Sequence, residues 1–342
     1  MEQIQLSTWS NSHKLAPLFS EEQASKIADS FRTASISANT RVAYRKGWRL
    51  FAGWCREHNQ DPNDIKRVAY EHFIIHISKT FSFSQLEVCH AAVRWCYKNI
   101  EGFPEFNFDH PRIQTLYIGI SREKKKSETP KQAAVFSLSQ LRGLTEICDV
   151  QENKGVRNKA IMLLLYWCGM RSDEMVKVKV EHIELFADGW VLRIPEQKNH
   201  KETMYKSIPT RADTSICPAY AVHEYIKLFN LKEGDYLCAA NLDRGNNIKP
   251  QEGNMSLWNL RKTINQYFVG YFGKDVSKFY SCHSFRRSFI THLLDQGVDP
   301  ADISTQTHQS IQTIITRYDA NRHKIKRNYV HLNFNDKHQE VG

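Results

Sequence analysis

The stretch CHSFRRSFITHLL, residues 282–294, most narrows what this chain can fold into. At 100° per residue, Cys282, Phe285, Phe289, Ile290, Leu293 and Leu294 fill one half of a helical wheel. Arg286 falls in the middle of that apolar arc and His283 just inside its edge, whereas Ser284, Arg287, Ser288, Thr291 and His292 lie outside it. A guanidinium aimed into a core is costly unless an anion meets it. The fold must therefore bring a negative group to this helix or keep a place for one.

The chain around that helix has 342 residues, enough for two domains with a core in each. Lysine and arginine number 47 against 37 acidic residues, a net charge of +10, which favours a polyanionic partner such as nucleic acid. Eight cysteines are scattered without a CxxC pair, as free thiols of a reducing compartment are, and no zinc-type spacing occurs. The first residues lack the basic and apolar regions of a secretory signal, and the longest apolar run, AIMLLLYWCGM at 160–170, is too short to span a bilayer. These features predict a cytoplasmic protein with no membrane partner.

Residues 1–30 are polar and unpatterned and read as a flexible arm. From SANTRVAYRKGWRLFAGWCREHN a helical pattern begins, with Asn39 or Thr40 as its cap and Tyr44, Trp48, Phe51 and Cys55 on one face. Further helices follow through VAYEHFIIHISKTF, FSQLEVCHAAVRWCYKNI and HPRIQTLYIGISREKKK, so residues 31–126 read as a helical domain. SREKKKSETPKQAAVFS at 121–137 is basic, with no regular pattern, and reads as an interdomain connection, the linker proper being 127–136. A second domain covers 137–335, before a polar tail at 336–342. It opens with a helix capped by Ser137 or Ser139 and a buried helix closed near Gly169. Alternation in VKVKVEHIEL, WVLRI and MYKSIPT then predicts a small antiparallel sheet. The fold class is mainly α with one small antiparallel sheet: a helical domain followed by an α+β domain.

Four places in the second domain put polar chemistry where packing alone would not. In WCGMRSDEM, Arg171 follows a glycine stop, and Glu174 lies three residues on, placed to orient it. His283 and Arg286, at i and i+3, share a face and can reach one phosphate. In THQSIQTIITRYDA, His308 precedes a short helix ending near Tyr318. Lys198 and Lys201 sit on the tip of the predicted hairpin. Guanidiniums, histidines, a lysine and a tyrosine together describe an anion site with a nucleophile and proton donors. No carboxylate cluster for magnesium and no Walker loop is present, so the set suits phosphoryl transfer from DNA to tyrosine without metal or cofactor.

This order, Arg, Lys, His-x-x-Arg, His, Tyr, resembles that of the tyrosine recombinases over nearly the whole chain. CGMRSDEM is similar to that family's Gly-x-Arg-x-x-Glu box, HSFRRSFITHLL to its His-x-x-Arg box, and THQSIQTIITRY to its nucleophile segment. The first domain is similar to the core-binding, SAM-like domain of two-domain, Cre-like members. The resemblance implies a site-specific DNA recombinase. Arg171 and Arg286 would clamp the scissile phosphate, with His283 as a hydrogen-bond donor or base and Tyr318 as the nucleophile. Lys198, rather than Lys201, would be the general acid; His308 holds the His/Trp position and Glu174 the acidic one. It further implies a 3′-phosphotyrosyl intermediate and a homotetramer on duplex DNA with inverted-repeat sites. A nucleoid location and accessory proteins would go with this. DNA contacts would fall on Arg41, Arg45, Lys124, Lys125, Lys126 and Lys131.

Two departures stand out. His308 and Tyr318 are ten residues apart where members usually have nine, and Thr307 replaces the glycine before the histidine. The alternatives are a type IB-like enzyme that relaxes DNA and a catalytically silent DNA-binding protein of the same fold.

Overall fold

The computed structural model describes residues 35–127, 132–148, 153–186, 189–194, 203–240 and 253–318. The chain divides into two compact units, Met1–Pro130 and Lys131–Gly342, each with its own core.

The first unit is helical: α1 (Ala38–Glu57), α2 (Arg67–Thr80), α3 (Phe83–Asn99) and α4 (Pro111–Ser127). Ser37, and not Asn39 or Thr40, caps α1, its hydroxyl accepting from Thr40 N at 3.1 Å. That cap leaves Ala38–Thr40 as the first helical turn. Gly47 lets α1 approach α3, since a Cβ there would lie 2.9 Å from Ala92 Cβ and 3.2 Å from Cys89 Cα. Phe51, Trp54, Tyr70, Phe73, Leu86 and Val93 fill the core. Arg122 and Lys124–Lys126, at the end of the helical pattern HPRIQTLYIGISREKKK, belong to the last turns of α4. Lysines in a last turn favour a helix, because they face the negative end of its dipole. Lys124 also donates to Phe81 O at 3.1 Å.

In the second unit, Ser137 starts α5 (Leu138–Glu146) with a reciprocal cap to Gln140. Helix α6 (Asn153–Trp167) is buried through Ala160–Trp167 and ends at Gly169, whose φ is +53°. A four-residue helix follows, α7 (Ser172–Met175), and then three antiparallel strands in the order β1 (Ile183–Phe186), β2 (Gly189–Ile194) and β3 (Met204–Ile208). The first strand is shorter than the alternation in 176–185 predicts. Val178 and Val180 instead bond the backbone around Tyr236, and Val180–His182 form a 3-10 turn. Helices α8 (Pro218–Leu228), α9 (Leu257–Phe272), α10 (Lys274–Ser277), α11 (Cys282–Asp295), α12 (Pro300–Thr307) and α13 (Ile311–Arg317) complete the unit.

The signature helix α11 packs on α6 and is buried on more of its circumference than its wheel predicts. Ser284, Ser288 and Thr291 are buried along with its apolar arc. Ser288 accepts from Phe136 N at 2.9 Å, so the polar side of this central helix serves packing rather than solvent. All eight cysteines are buried and unpaired. Among the described residues no helix is long and apolar enough to cross a membrane.

Candidate active site

Gly169 creates the turn on which the site rests. Its positive φ suits glycine, and a Cβ would lie 3.0 Å from Thr307 Cγ2 and 3.1 Å from Phe289 Cδ1. Two residues on, Arg171 emerges with its side chain one-third exposed (35%). The buried Glu174 holds it twice: Oε2 accepts from Arg171 N at 2.9 Å and Oε1 from Nη1 at 2.6 Å. One carboxylate thus fixes both the backbone and the guanidinium of Arg171.

Arg286 has no exposed surface. Its Nη1 donates to Gly169 O at 2.5 Å and its Nη2 to Thr307 O at 2.7 Å, while Nε is buried without a hydrogen-bond partner. The carbonyls orient the charge without neutralising it. Burial and the nearby Arg171 push its pKa down and Glu174 pulls it back, but a guanidinium stays charged throughout this range.

His283 lies in the first turn of α11, where the Ser281 hydroxyl accepts from its backbone N–H at 3.3 Å. Although part of the residue reaches solvent, the ring is partly desolvated, which lowers its pKa, and Arg286, Arg287, Arg171 and Arg317 lower it further. Tyr318, at the end of α13 and 4% exposed, places its hydroxyl 3.2 Å from His283 Nε2. Gln309 Nε2 donates to the same hydroxyl at 3.0 Å. The ten-residue separation of His308 and Tyr318 is thus accommodated by the turn before α13 with the phenol still beside the histidine.

His308 occupies that turn in the left-handed conformation, φ 53° and ψ 44°. Its Nε2 lies 3.1 Å from Tyr205 O, a contact that requires the proton on Nε2. Arg171, Glu174, His283, Arg286 and Tyr318 therefore converge, with His308 one residue beyond the carbonyl that Arg286 holds. Lys198 and its rival Lys201 lie outside the described residues, as does Lys131. Arg41, Arg45 and Lys124–Lys126 belong to the first unit.

Three features were missed in the sequence. Lys206 on β3 is buried with Nζ 3.0 Å from Gln306 O and 4.0 Å from Glu174 Oε2. Burial pushes its pKa down to about 8, with Glu174 opposing. The alternation of MYKSI already placed it inward with Met204 and Ile208. Arg287 Nε is a second buried guanidinium nitrogen without a partner. A groove of about 790 Å³ runs from Arg171 and His283 to Trp258, Arg261, Lys262 and Asn265. The last four share one face of α9, beside the buried stripe of Leu260, Ile264 and Phe268, a pattern legible in SLWNLRKTINQYF. Trp258 is 67% exposed, and Lys262 Nζ lies 5.1 Å from its ring centroid.

A helical unit followed by an α+β unit with two arginines, a histidine and a tyrosine at one point defines the tyrosine recombinase class of enzyme. Residues 135–324, over half the chain, match the Phage integrase family, and the chain belongs to that family. It is 25% identical over 266 residues to the tyrosine recombinase XerD of Pseudomonas putida, covering 77% of this chain and 80% of the relative. The XerD homolog of Selenomonas ruminantium is 23% identical over 319 residues, 89% of this chain and 88% of its own. Among solved structures, the XerH site-specific recombinase bound to palindromic difH substrate shares the fold at a TM-score of 0.56 and 13% identity, covering 78% of this chain and 73% of that one. The Tn1549 transposon integrase in complex with transposon right end DNA does so at a TM-score of 0.55 and 12% identity, over 90% and 98%.

Proposed function

We propose that this site-specific recombinase cleaves and rejoins duplex DNA through a covalent bond to Tyr318, without metal, nucleotide or other cofactor. The observation that carries the reading is the approach of Tyr318 Oη to His283 Nε2, 3.2 Å, beside two guanidiniums. In the reaction, Tyr318 Oη attacks phosphorus, the bond to the 5′-oxygen breaks, and a 3′-phosphotyrosyl link remains. His283 takes the phenol proton, and Arg171 and Arg286 offset the charge that builds on the non-bridging oxygens. Glu174 fixes Arg171. Lys198 would protonate the leaving 5′-oxygen, and His308 would hold the family's His/Trp position beside the phosphate. The link keeps the phosphodiester energy, so a second 5′-hydroxyl can reverse the step on a new partner strand.

Strand exchange between two duplexes needs four such sites, so the active form in this reading is a homotetramer on paired inverted repeats. The relatives bound to palindromic difH substrate and to transposon right end DNA support a DNA partner. The basic residues Arg41, Arg45, Lys124, Lys125, Lys126 and Lys131 would follow the phosphate backbone, and accessory proteins would set the outcome at particular sites.

The test is an SDS-resistant protein–DNA adduct on a nicked duplex library without metal or ATP, beside Tyr318→Phe. An adduct that disappears in the variant while DNA binding persists is the expected result. Persistence of the adduct would move the nucleophile elsewhere. Binding without any adduct would favour the silent DNA-binding alternative, and monomeric relaxation of supercoiled DNA the type IB-like one.

A further inference from the structure

Three consecutive residues of β3 are stitched to Gln306 and His308 at the end of α12. Tyr205 O accepts from His308 Nε2 at 3.1 Å. Lys206 Nζ donates to Gln306 O at 3.0 Å. Ser207 N donates to Gln306 Oε1 at 3.0 Å, and Gln306 Nε2 donates back to Ser207 O at 2.9 Å. Arg286 then holds the next carbonyl, Thr307 O. The last two carbonyls before His308 are therefore each gripped by a buried cation, at the negative end of a helix.

Packing does not require a lysine at 206. The position faces inward between Met204 and Ile208 and opposite Leu192, where an apolar side chain of similar length would fill the space without desolvating a charge. Its charge has Glu174 at 4.0 Å and the Gln306 carbonyl for company, and the bond to Gln306 acts on the turn that aims His308. We propose that Lys206, acting with Gln306, is a positioning residue for DNA cleavage: it locks the His308 turn onto β3 and so fixes His308 relative to Arg286 and the scissile phosphate. This rests on the assignment of Tyr318 chemistry above. Lys206 touches no substrate in this role and works through the turn.

The experiment is single-turnover adduct formation by the full chain on the nicked duplex captured by the wild type, with DNA affinity and thermal midpoint measured in parallel. Lys206→Met should lower the cleavage rate ~10- to 100-fold, the scale of a misplaced catalytic group, while affinity for DNA changes less than about threefold. Gln306→Ala, at a more accessible position, should act in the same direction and guards against a Lys206 variant that fails to fold. Lys206→Met should be non-additive with His308→Ala, the double variant being about as slow as the slower single one. A purely structural lysine predicts instead a lowered thermal midpoint with full-rate cleavage by the folded fraction. That result, or strict additivity with His308→Ala, overturns the proposal. A wild type that forms no Tyr318-dependent adduct is a different failure, since it removes the Tyr318 chemistry and the positioning role with it.

Discussion

Tyr318 Oη and His283 Nε2 lie 3.2 Å apart although 35 residues separate them in the chain. Gln309 donates to the same hydroxyl, which leaves the phenol proton free to be given to the imidazole. A base role for His283 needs a neutral ring with Nε2 unprotonated, and the lowered pKa of His283 favours the neutral ring at neutral pH. Cleavage should hold a plateau through neutral pH and decline only below the ordinary histidine range, as the ring gains its proton. In His283→Ala the rate should fall ~10²- to 10⁴-fold, the usual contribution of a positioned base, and that acid limb should vanish. A wild-type rate that already falls between pH 8 and 7 would contradict a depressed pKa.

Gly169 serves Arg286 through its carbonyl and its conformation. Gly169→Ala puts a Cβ against Thr307 and Phe289 on a backbone with φ +53°. The expected loss is about 1–3 kcal/mol of stability, together with slower cleavage as the Arg286 anchor shifts. Denaturant melts and single-turnover rates measure the two effects separately. Arg286→Lys retains the charge but not the fork that spans Gly169 and Thr307, so it should lose orders of magnitude in rate. Near-normal turnover would remove Arg286 from the phosphate clamp.

The groove beside Arg171 offers an exposed indole and two cations on one face of α9. Affinity for duplex DNA should drop steeply between low and moderate salt, in proportion to the phosphates neutralised. Arg261→Ala and Lys262→Ala should each flatten that dependence by about one unit of slope, leaving the thermal midpoint unchanged. Fluorescence anisotropy across a salt series measures it. An unchanged slope in both variants would place the DNA away from α9.

His90 in the first unit provides a pH test independent of catalysis. Its Nδ1 lies 2.9 Å from the Tyr70 hydroxyl, and burial, reinforced by Arg94, lowers its pKa to about 4. The unfolded chain, with an ordinary histidine, takes up the proton first as pH falls. Stability contributed by the neutral ring is present above about pH 6.5 and is lost between there and about pH 4, by no more than about 3 kcal/mol. Denaturant titrations at several pH values should show this loss, and His90→Gln should reduce it.

Helical periodicity and capping residues made most of the fold legible, because helix-forming faces are local properties of the chain. Arg286 inside an apolar arc, Gly169 before Arg171, and His308 before a short helix were likewise visible as local anomalies. Local pattern misled where a competing contact won. Residues 176–182 alternate like a strand yet bond to 235–237.

What the sequence by itself determined is the inventory: which side chains are chemically out of place, and on which element each one sits. Tertiary structure alone decided which of them meet. The approach of Tyr318 to His283, the grip of Arg286 on Gly169 and Thr307, and the burial of Lys206 against Gln306 join residues 35, 117, 21 and 100 positions apart. Such contacts depend on how whole helices and strands pack, and a periodicity read along one element carries no information about its neighbour.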